Sequence, residues 1–305
     1  VDIITNISSP LDLKRPVITI GTFDGIHIGH RMILNRVVQV AGEKKCDSAL
    51  VTFHPHPRIV LGQEVKLLNT RDEKRKIIES LGINHLIEIP FTVQFSDIKA
   101  HDFIRMLVDL MNPSTIIIGY DHGFGRNREG DIKVLEDSAG KYGFEVINID
   151  AVETGGSKVS SSHIRNLILQ GKVEDAGELL AEPYSLSGIV IRGNQIGKRL
   201  GYPTANIYVE DDHKLIPAMG VYATVAEYNG KEYLSMTNIG LRPTLDIHKL
   251  TIEANLFDFD KEIYYERLTL KLISRLRDEK KFDNLDVLKD QLKVDKIDTL
   301  RILNH

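Results

Sequence analysis

The chain has 305 residues, 42% hydrophobic and 27% charged, with a formal net charge of −4 at pH 7. That length favours two domains, each able to bury its own core, and mild acidity without a long basic run argues against a nucleic-acid partner. One cysteine, Cys46, cannot form an internal disulfide, the first residues lack a signal-peptide pattern, and no apolar run reaches membrane-spanning length, so a cytoplasmic protein without membrane association is expected.

The apolar, β-branched run Val17-Ile18-Thr19-Ile20 predicts a buried strand. It is followed by Gly21-Thr22-Phe23-Asp24-Gly25-Ile26-His27-Ile28-Gly29-His30, after which Met32, Ile33, Leu34, Val37, Val38 and Ala41 recur at helical spacing. The intervening residues are therefore a strand-to-helix turn. Gly21, Gly25 and Gly29 let a ligand approach the backbone. The new helix offers unpaired N–H groups and a positive dipole end, a natural anion site, and His27 and His30 stand at that spot. Phosphate handling is the reading. One rival is a structural turn whose histidines cap the helix. Another is a zinc site drawn from His27, His30, His54 and His56, although these lack the Cys or carboxylate spacing of zinc clusters.

A second strand, 49–53, ends at His54-Pro55-His56-Pro57, where the prolines stop helix and ladder alike. Thr70-Arg71-Asp72-Glu73 is a capping box opening a helix through Ile77, Ile78 and Leu81. Strands at 85–89, 115–118 and 144–149 then alternate with helices at 100–111 and 131–142. Such alternation predicts a parallel sheet covered by helices on both faces, with ligands at the carboxyl ends of the strands. Two further motifs follow strand ends. Residues 119–130 set glycines around Asp121, Phe124 and two arginines, either a loop wrapping a ligand or a surface loop. In Val159-Ser160-Ser161-Ser162-His163-Ile164-Arg165 the serines can cap a helix. Alternatively, Ser161 and Ser162 donate to a phosphate while Arg165, one turn in, pairs with it.

A helix at 173–181 ends at Glu182-Pro183, and the pattern then changes to short strands at 186–191, 221–227, 231–237, 250–256 and 268–272. With Asn229-Gly230 as a hairpin turn, these predict a small barrel, closed by a broken helical segment over 285–303. The expected domains are 1–182 and 183–305. Within the second, Gly193, Gly197 and Gly201 with Lys198 and Arg199 can cradle phosphates. Thr204 and Asn206 point to one face of a strand, and their oxygens are hard ligands suited to Mg²⁺ beside ATP phosphates. A plain glycine-rich hairpin accounts for the same residues.

His-x-Gly-His after a first strand resembles the nucleotidyltransferase superfamily. The fuller string 21–30 resembles the bacterial bifunctional riboflavin kinase/FMN adenylyltransferases, or FAD synthetases. The segment 193–206 is similar to the riboflavin kinase signature Gly-x-x-x-Gly-[Lys/Arg]-x-Leu-Gly-[Phe/Tyr]-Pro-Thr-Ala-Asn. Gly220-Val221-Tyr222, Asn238-Ile239-Gly240-Leu241-Arg242-Pro243-Thr244 and the ending 277–282 agree with it. The resemblance implies an α/β chain: a Rossmann-like nucleotidyltransferase domain with a parallel sheet, then a small riboflavin kinase-like β-barrel with a closing helix. It implies ATP-dependent phosphorylation of riboflavin to FMN and adenylylation of FMN to FAD, with Mg²⁺. The expected partners are these small molecules, with transient delivery to apo-flavoproteins.

The resemblance also implies roles. His27 and His30, set among Gly21, Phe23, Asp24, Gly25 and Gly29, contact the triphosphate, and Ser161, Ser162 and Arg165 close over it. Asp121 lies next to flavin and nucleotide, and His56 and Pro57 form a flavin-side wall. Glu253 heads the string Glu-x-x-[Leu/Ile]-x-Asp-Phe as the catalytic carboxylate. The chain departs from the pattern at His122, usually Phe, with an extra Gly123; at Asn255, often His; and at Tyr265, usually Gly. An adenylyl- or cytidylyltransferase for another phosphorylated substrate, and a flavin-binding protein without turnover, are the alternative readings.

Overall fold

A computed structural model describes residues 1–154, 157–193, 197, 200–243 and 248–304. They form two compact units, Val1–Ser161 and Ser162–His305.

In the first unit, β1 (Asp2–Ile4), β2 (Val17–Ile20), β3 (Ser48–His54), β4 (His85–Pro90), β5 (Thr115–Gly119) and β6 (Glu145–Ile149) make one sheet in the order β1-β4-β3-β2-β5-β6. Every pairing is parallel. The strands alternate between two cores. Ile18, Ile20, Val51, Ile116 and Ile118 pack with Phe103 and Leu107 of α5 (Ala100–Met111), and Leu135 of α6 (Ile132–Tyr142) joins that side. Val17, Leu50, Leu86 and Ile117 pack with Leu34 and Val37 of α1 (Ile28–Lys44) and Ile78 of α3 (Arg71–Ser80). Two-sided burial explains why these strands read as continuous apolar runs. The short helices α2 (Pro57–Val60) and α4 (Val93–Ser96), the edge strand β1 and a small hairpin of β7 (Glu153–Thr154) and β8 (Ser157–Lys158) carry too few residues to show periodicity. The chain leaves β2 towards β3 on one side and reaches β5 on the other. The crevice at that reversal is where ligands of open α/β sheets bind.

The second unit opens with α7 (Ser161–Leu169) and α8 (Val173–Leu180), the first residue of α7 being the last of the first unit. Six antiparallel strands follow: β9 (Tyr184–Ile191), β10 (Ala205–Tyr208), β11 (Gly220–Tyr228), β12 (Lys231–Pro243), β13 (His248–Leu256) and β14 (Arg267–Arg277). They close into a barrel in the order β10-β13-β12-β11-β14-β9. The β11–β12 hairpin turns at Asn229 and Gly230, both at positive φ (49° and 72°), as a two-residue hairpin loop requires. The last helix, α9 (Leu285–Leu303), is continuous rather than broken. Its mid-helix carboxylate Asp295 is buried yet fully engaged: Arg277 on β14 donates to both of its oxygens, at 2.9 and 2.7 Å.

Candidate active sites

The glycine turn after β2 is held by side chains from distant segments. Asp24 is buried, and its Oδ1 accepts the N–H groups of Leu68 (2.9 Å) and Asn69 (3.3 Å). The Asp24 carbonyl accepts the Ser161 hydroxyl at 2.8 Å. Phe23 and Ile26 adopt φ of 45° and 40°, strained values for bulky residues. His27 is the N-cap of α1, its Nδ1 accepting the His30 N–H at 3.3 Å, so the capping role weighed in the sequence is present. It fixes the tautomer as well: with Nδ1 accepting, a neutral His27 carries its proton on Nε2. The two imidazoles stack at 3.7 Å, and the Phe23 ring lies 4.7 Å from His30. The glycines make room for these rings. A Cβ at Gly29 would lie 3.3 Å from the His27 ring, and one at Gly21 would lie 2.9 Å from that of Phe23.

Burial pushes His27 down to about 4, against the opposing pull of Asp24 and Asp121. Burial, then the neighbouring His27 and Lys74, hold His30 well below the ordinary histidine range. Both rings are neutral near pH 7, and the buried Nδ1 of His30 has no hydrogen-bond partner among the described residues. Lys74, which the sequence reading passed over, reaches this turn from α3 and donates to the Thr22 carbonyl at 2.7 Å.

The glycine-rich loop after β5 is folded on itself. Phe124 and Gly130 exchange main-chain hydrogen bonds, and Arg128 donates to the Asp121 carbonyl at 2.9 Å. Asp121 is exposed and near enough to act electrostatically on His27. His122 lies against Phe124 with ring centroids 5.9 Å apart. Burial, with Arg128, pushes it down to about 4, and its buried Nε2 has no hydrogen-bond partner among the described residues. His56 caps α2 by accepting the Arg58 N–H at 3.2 Å. Among the described residues no group of three or more His, Cys, Asp or Glu side chains is placed to hold a metal ion. In α7, Ser162 and Arg165 follow Ser161; Ser161 and Arg165, four apart, share a helix face.

In the barrel, β10 and β13 place Asn206 directly opposite Glu253. Thr204, on the same face as Asn206, donates to Glu253 Oε2 at 3.4 Å. A Cβ at Gly193 would lie 2.3 Å from Asn206 Nδ2, and one at Gly197 would lie 2.3 Å from the Tyr202 carbonyl. Glycine at 193 therefore leaves room for the Asn206 side chain, and glycine at 197 for the main chain of Tyr202. Lys198, Arg199 and Thr244 lie outside the described residues. Hydroxyl, carboxamide and carboxylate oxygens thus converge, a donor set that fits a hard cation such as Mg²⁺. Asn255 is buried and donates to the Pro203 carbonyl at 2.6 Å, tying the Glu253 strand to the turn before Thr204. A cavity of about 450 Å³ opens beside it, lined by Gly201, Tyr202, Asn255, Phe257, Phe259 and Lys296. Tyr265 is exposed at φ 66°, a conformation that glycine adopts without strain.

Residues 9–163 match the family model described as FAD synthetase, and residues 180–303 match the one described as riboflavin kinase. A bifunctional riboflavin kinase/FMN adenylyltransferase of Listeria monocytogenes is 36% identical over 93% of this chain and 91% of its own. The protein of the same description from Bacillus subtilis is 34% identical over 95% and 93%. A solved structure from Streptococcus pneumoniae, described as a macrolide-efflux protein, is similar with a TM-score of 0.89 at 32% identity, over 97% of each chain. Among the described residues, no helix is long and apolar enough to cross a membrane. With both halves matched in order and relatives similar over nearly their whole length, the chain belongs to the bifunctional riboflavin kinase/FMN adenylyltransferase family.

Proposed function

We infer that this chain converts riboflavin to FMN and FMN to FAD, consuming ATP in each step. One observation carries the reading: Thr204, just before β10, and Asn206 on it meet Glu253 of the neighbouring strand although 49 residues separate Thr204 from Glu253. The kinase chemistry belongs to residues 183–305 and the adenylyl transfer to 1–182. The helix pair α7 and α8 falls largely between the matched segments, which end at 163 and begin at 180.

In the barrel, Glu253 accepts the proton of the terminal ribityl hydroxyl as that oxygen bonds to the γ-phosphorus of ATP. The β–γ bridging bond breaks and ADP leaves. Thr204 and Asn206 would hold Mg²⁺, which offsets phosphate charge when bound. Gly193, Gly197 and Lys198 wrap the phosphates, and positioning with electrostatics supplies most of the acceleration.

In the first unit an FMN phosphate oxygen bonds to the α-phosphorus of ATP, and pyrophosphate leaves. No base is required, because the phosphate monoester is already anionic. His27 offers its Nε2–H and His30 a ring N–H as neutral donors to the departing oxygens. The serine–arginine motif assigns Ser161, Ser162 and Arg165 to the triphosphate. Asp121 and His56 flank the flavin. FAD made in the reducing cytoplasm is then delivered transiently to apo-flavoproteins.

The test is a chromatographic time course of the purified protein with riboflavin, ATP and Mg²⁺. FMN followed by FAD is expected. FMN alone would withdraw the adenylyl assignment, and FAD only from added FMN would withdraw the kinase assignment. Tight flavin binding without conversion would favour a non-catalytic binder.

A further inference from the structure

The glycine turn carries a positive charge that its histidines do not explain. The capping box of Thr70 and Glu73 starts α3 at Arg71 and so sets Lys74 one turn into the helix. Its Nζ donates to the Thr22 carbonyl, the main-chain oxygen that Thr52 Oγ1 also approaches at 3.4 Å. The neighbouring arginines are committed elsewhere: Arg71 and Arg75 both pair with the buried carboxylate of Glu88. Among the described residues Lys74 forms no ion pair, and burial pushes its ammonium below the ordinary lysine range against the weaker pull of Asp24 and Glu88. An ammonium held in this way is costly unless an anion joins it. Beside it, the buried Nδ1 of His30 has no partner among the described residues, and α1 begins there with its N–H groups.

We propose that Lys74 is a further residue of the adenylyl-transfer site, one that contacts the pyrophosphate portion of ATP and of the released product. Because His27 and His30 are neutral, they orient the phosphates by hydrogen bonds, and Lys74 supplies the charge. The inference rests on the adenylyl-transfer reading.

The reverse reaction isolates this contact, because FAD and inorganic pyrophosphate give ATP and FMN only at the adenylyl site. Lys74→Met should raise the KM for pyrophosphate by about tenfold or more, the loss of one charge-assisted contact, and leave the KM for FAD unchanged. Lys74→Arg should restore most of the loss. Riboflavin phosphorylation, which uses other residues, checks that each variant is folded. If Lys74 is only a clamp on Thr22, both KM values rise together and Arg does not rescue; that result, or an unchanged KM for pyrophosphate, overturns the proposal. A second readout is independent of turnover. Inorganic pyrophosphate should shift the imidazole ¹⁵N resonances of His27 and His30 in the wild-type chain, and should need about tenfold more in Lys74→Met. Wild-type protein that forms no FAD refutes the adenylyl reading, and the resonance titration still decides whether Lys74 binds the anion.

Discussion

A histidine pair beside phosphate is easily pictured as a pair of cations, but burial denies that role to His27 and His30. Stacked rings 3.7 Å apart would repel if both were charged, and the pull of Asp24 and Asp121 on His27 does not offset its desolvation. Their contribution is directional. Removing one donor of this kind costs on the order of 10²-fold in rate, so His30→Ala should lower FAD formation from FMN by about that factor and spare riboflavin phosphorylation. In Glu253→Gln the pattern reverses: FMN formation is lost, while FAD still forms from supplied FMN. Assaying each variant on both substrates checks the separation, and equal loss of both activities would refute it. The neutral histidines also make stability depend on pH. Unfolded, His27 titrates at its ordinary 6.5; folded, at about 4. Between those values the unfolded chain binds more protons, so stability falls as pH drops from 6.5 towards 4 and is flat above. The shift of His27 corresponds to about 3 kcal/mol across that window. Urea titrations at pH 7 and 4.5 should show the loss, and His27→Asn should reduce it.

At the scale of elements, contiguity decides what could be read in advance. The glycine turn was legible because strand, turn, histidines and helix follow one another in sequence, each with its own local signal. The parallel sheet was legible because continuous apolar strands alternate with amphipathic helices. Lys74 and Asn255 were not, because each acts on a main-chain carbonyl 52 residues away, and such a contact leaves no periodicity in the chain. Continuity of α9 was hidden in the same way. Its interior Asp295 is buried with Arg277, 18 residues earlier, as its bidentate partner. Asp295→Ala should therefore destabilise the barrel unit by about 3–5 kcal/mol, the cost of leaving a buried guanidinium unpaired, measured by its urea midpoint. Asn255 acts between elements as well. Asn255→Ala frees Pro203 from β13 and should raise the KM of the kinase reaction for ATP more than it lowers kcat, since Thr204 and Asn206 lose their support while Glu253 stays on its strand. Steady-state kinetics with ATP varied separates the two effects.

For the molecule as a whole, chemistry and packing draw different boundaries. Composition places the change of character at Glu182-Pro183, where helical periodicity gives way to short strands. The compact units instead divide after Ser161, because α7 and α8 are built into the barrel unit. Ile168, Val173, Ala176 and Leu180 are buried there. The Ala218 N–H donates to the Ile168 carbonyl, and Glu174 accepts the main-chain N–H of Arg275 on β14 at 3.0 Å. Fully burying aliphatic side chains of this size stabilises by about 1.5–3 kcal/mol each, which is large against the marginal stability of a small domain. A fragment of residues 162–305 should fold and phosphorylate riboflavin. A fragment of residues 183–305 keeps every barrel strand and Glu253 but exposes the surface that α8 covers on β14 and β9, and should have a clearly lower urea midpoint. Measuring both midpoints alongside FMN formation separates the two boundaries. Equal midpoints would mean that the helix pair adds nothing to the barrel, whereas a gap with activity in both fragments would make α7 and α8 structural partners of the kinase without a part in its chemistry.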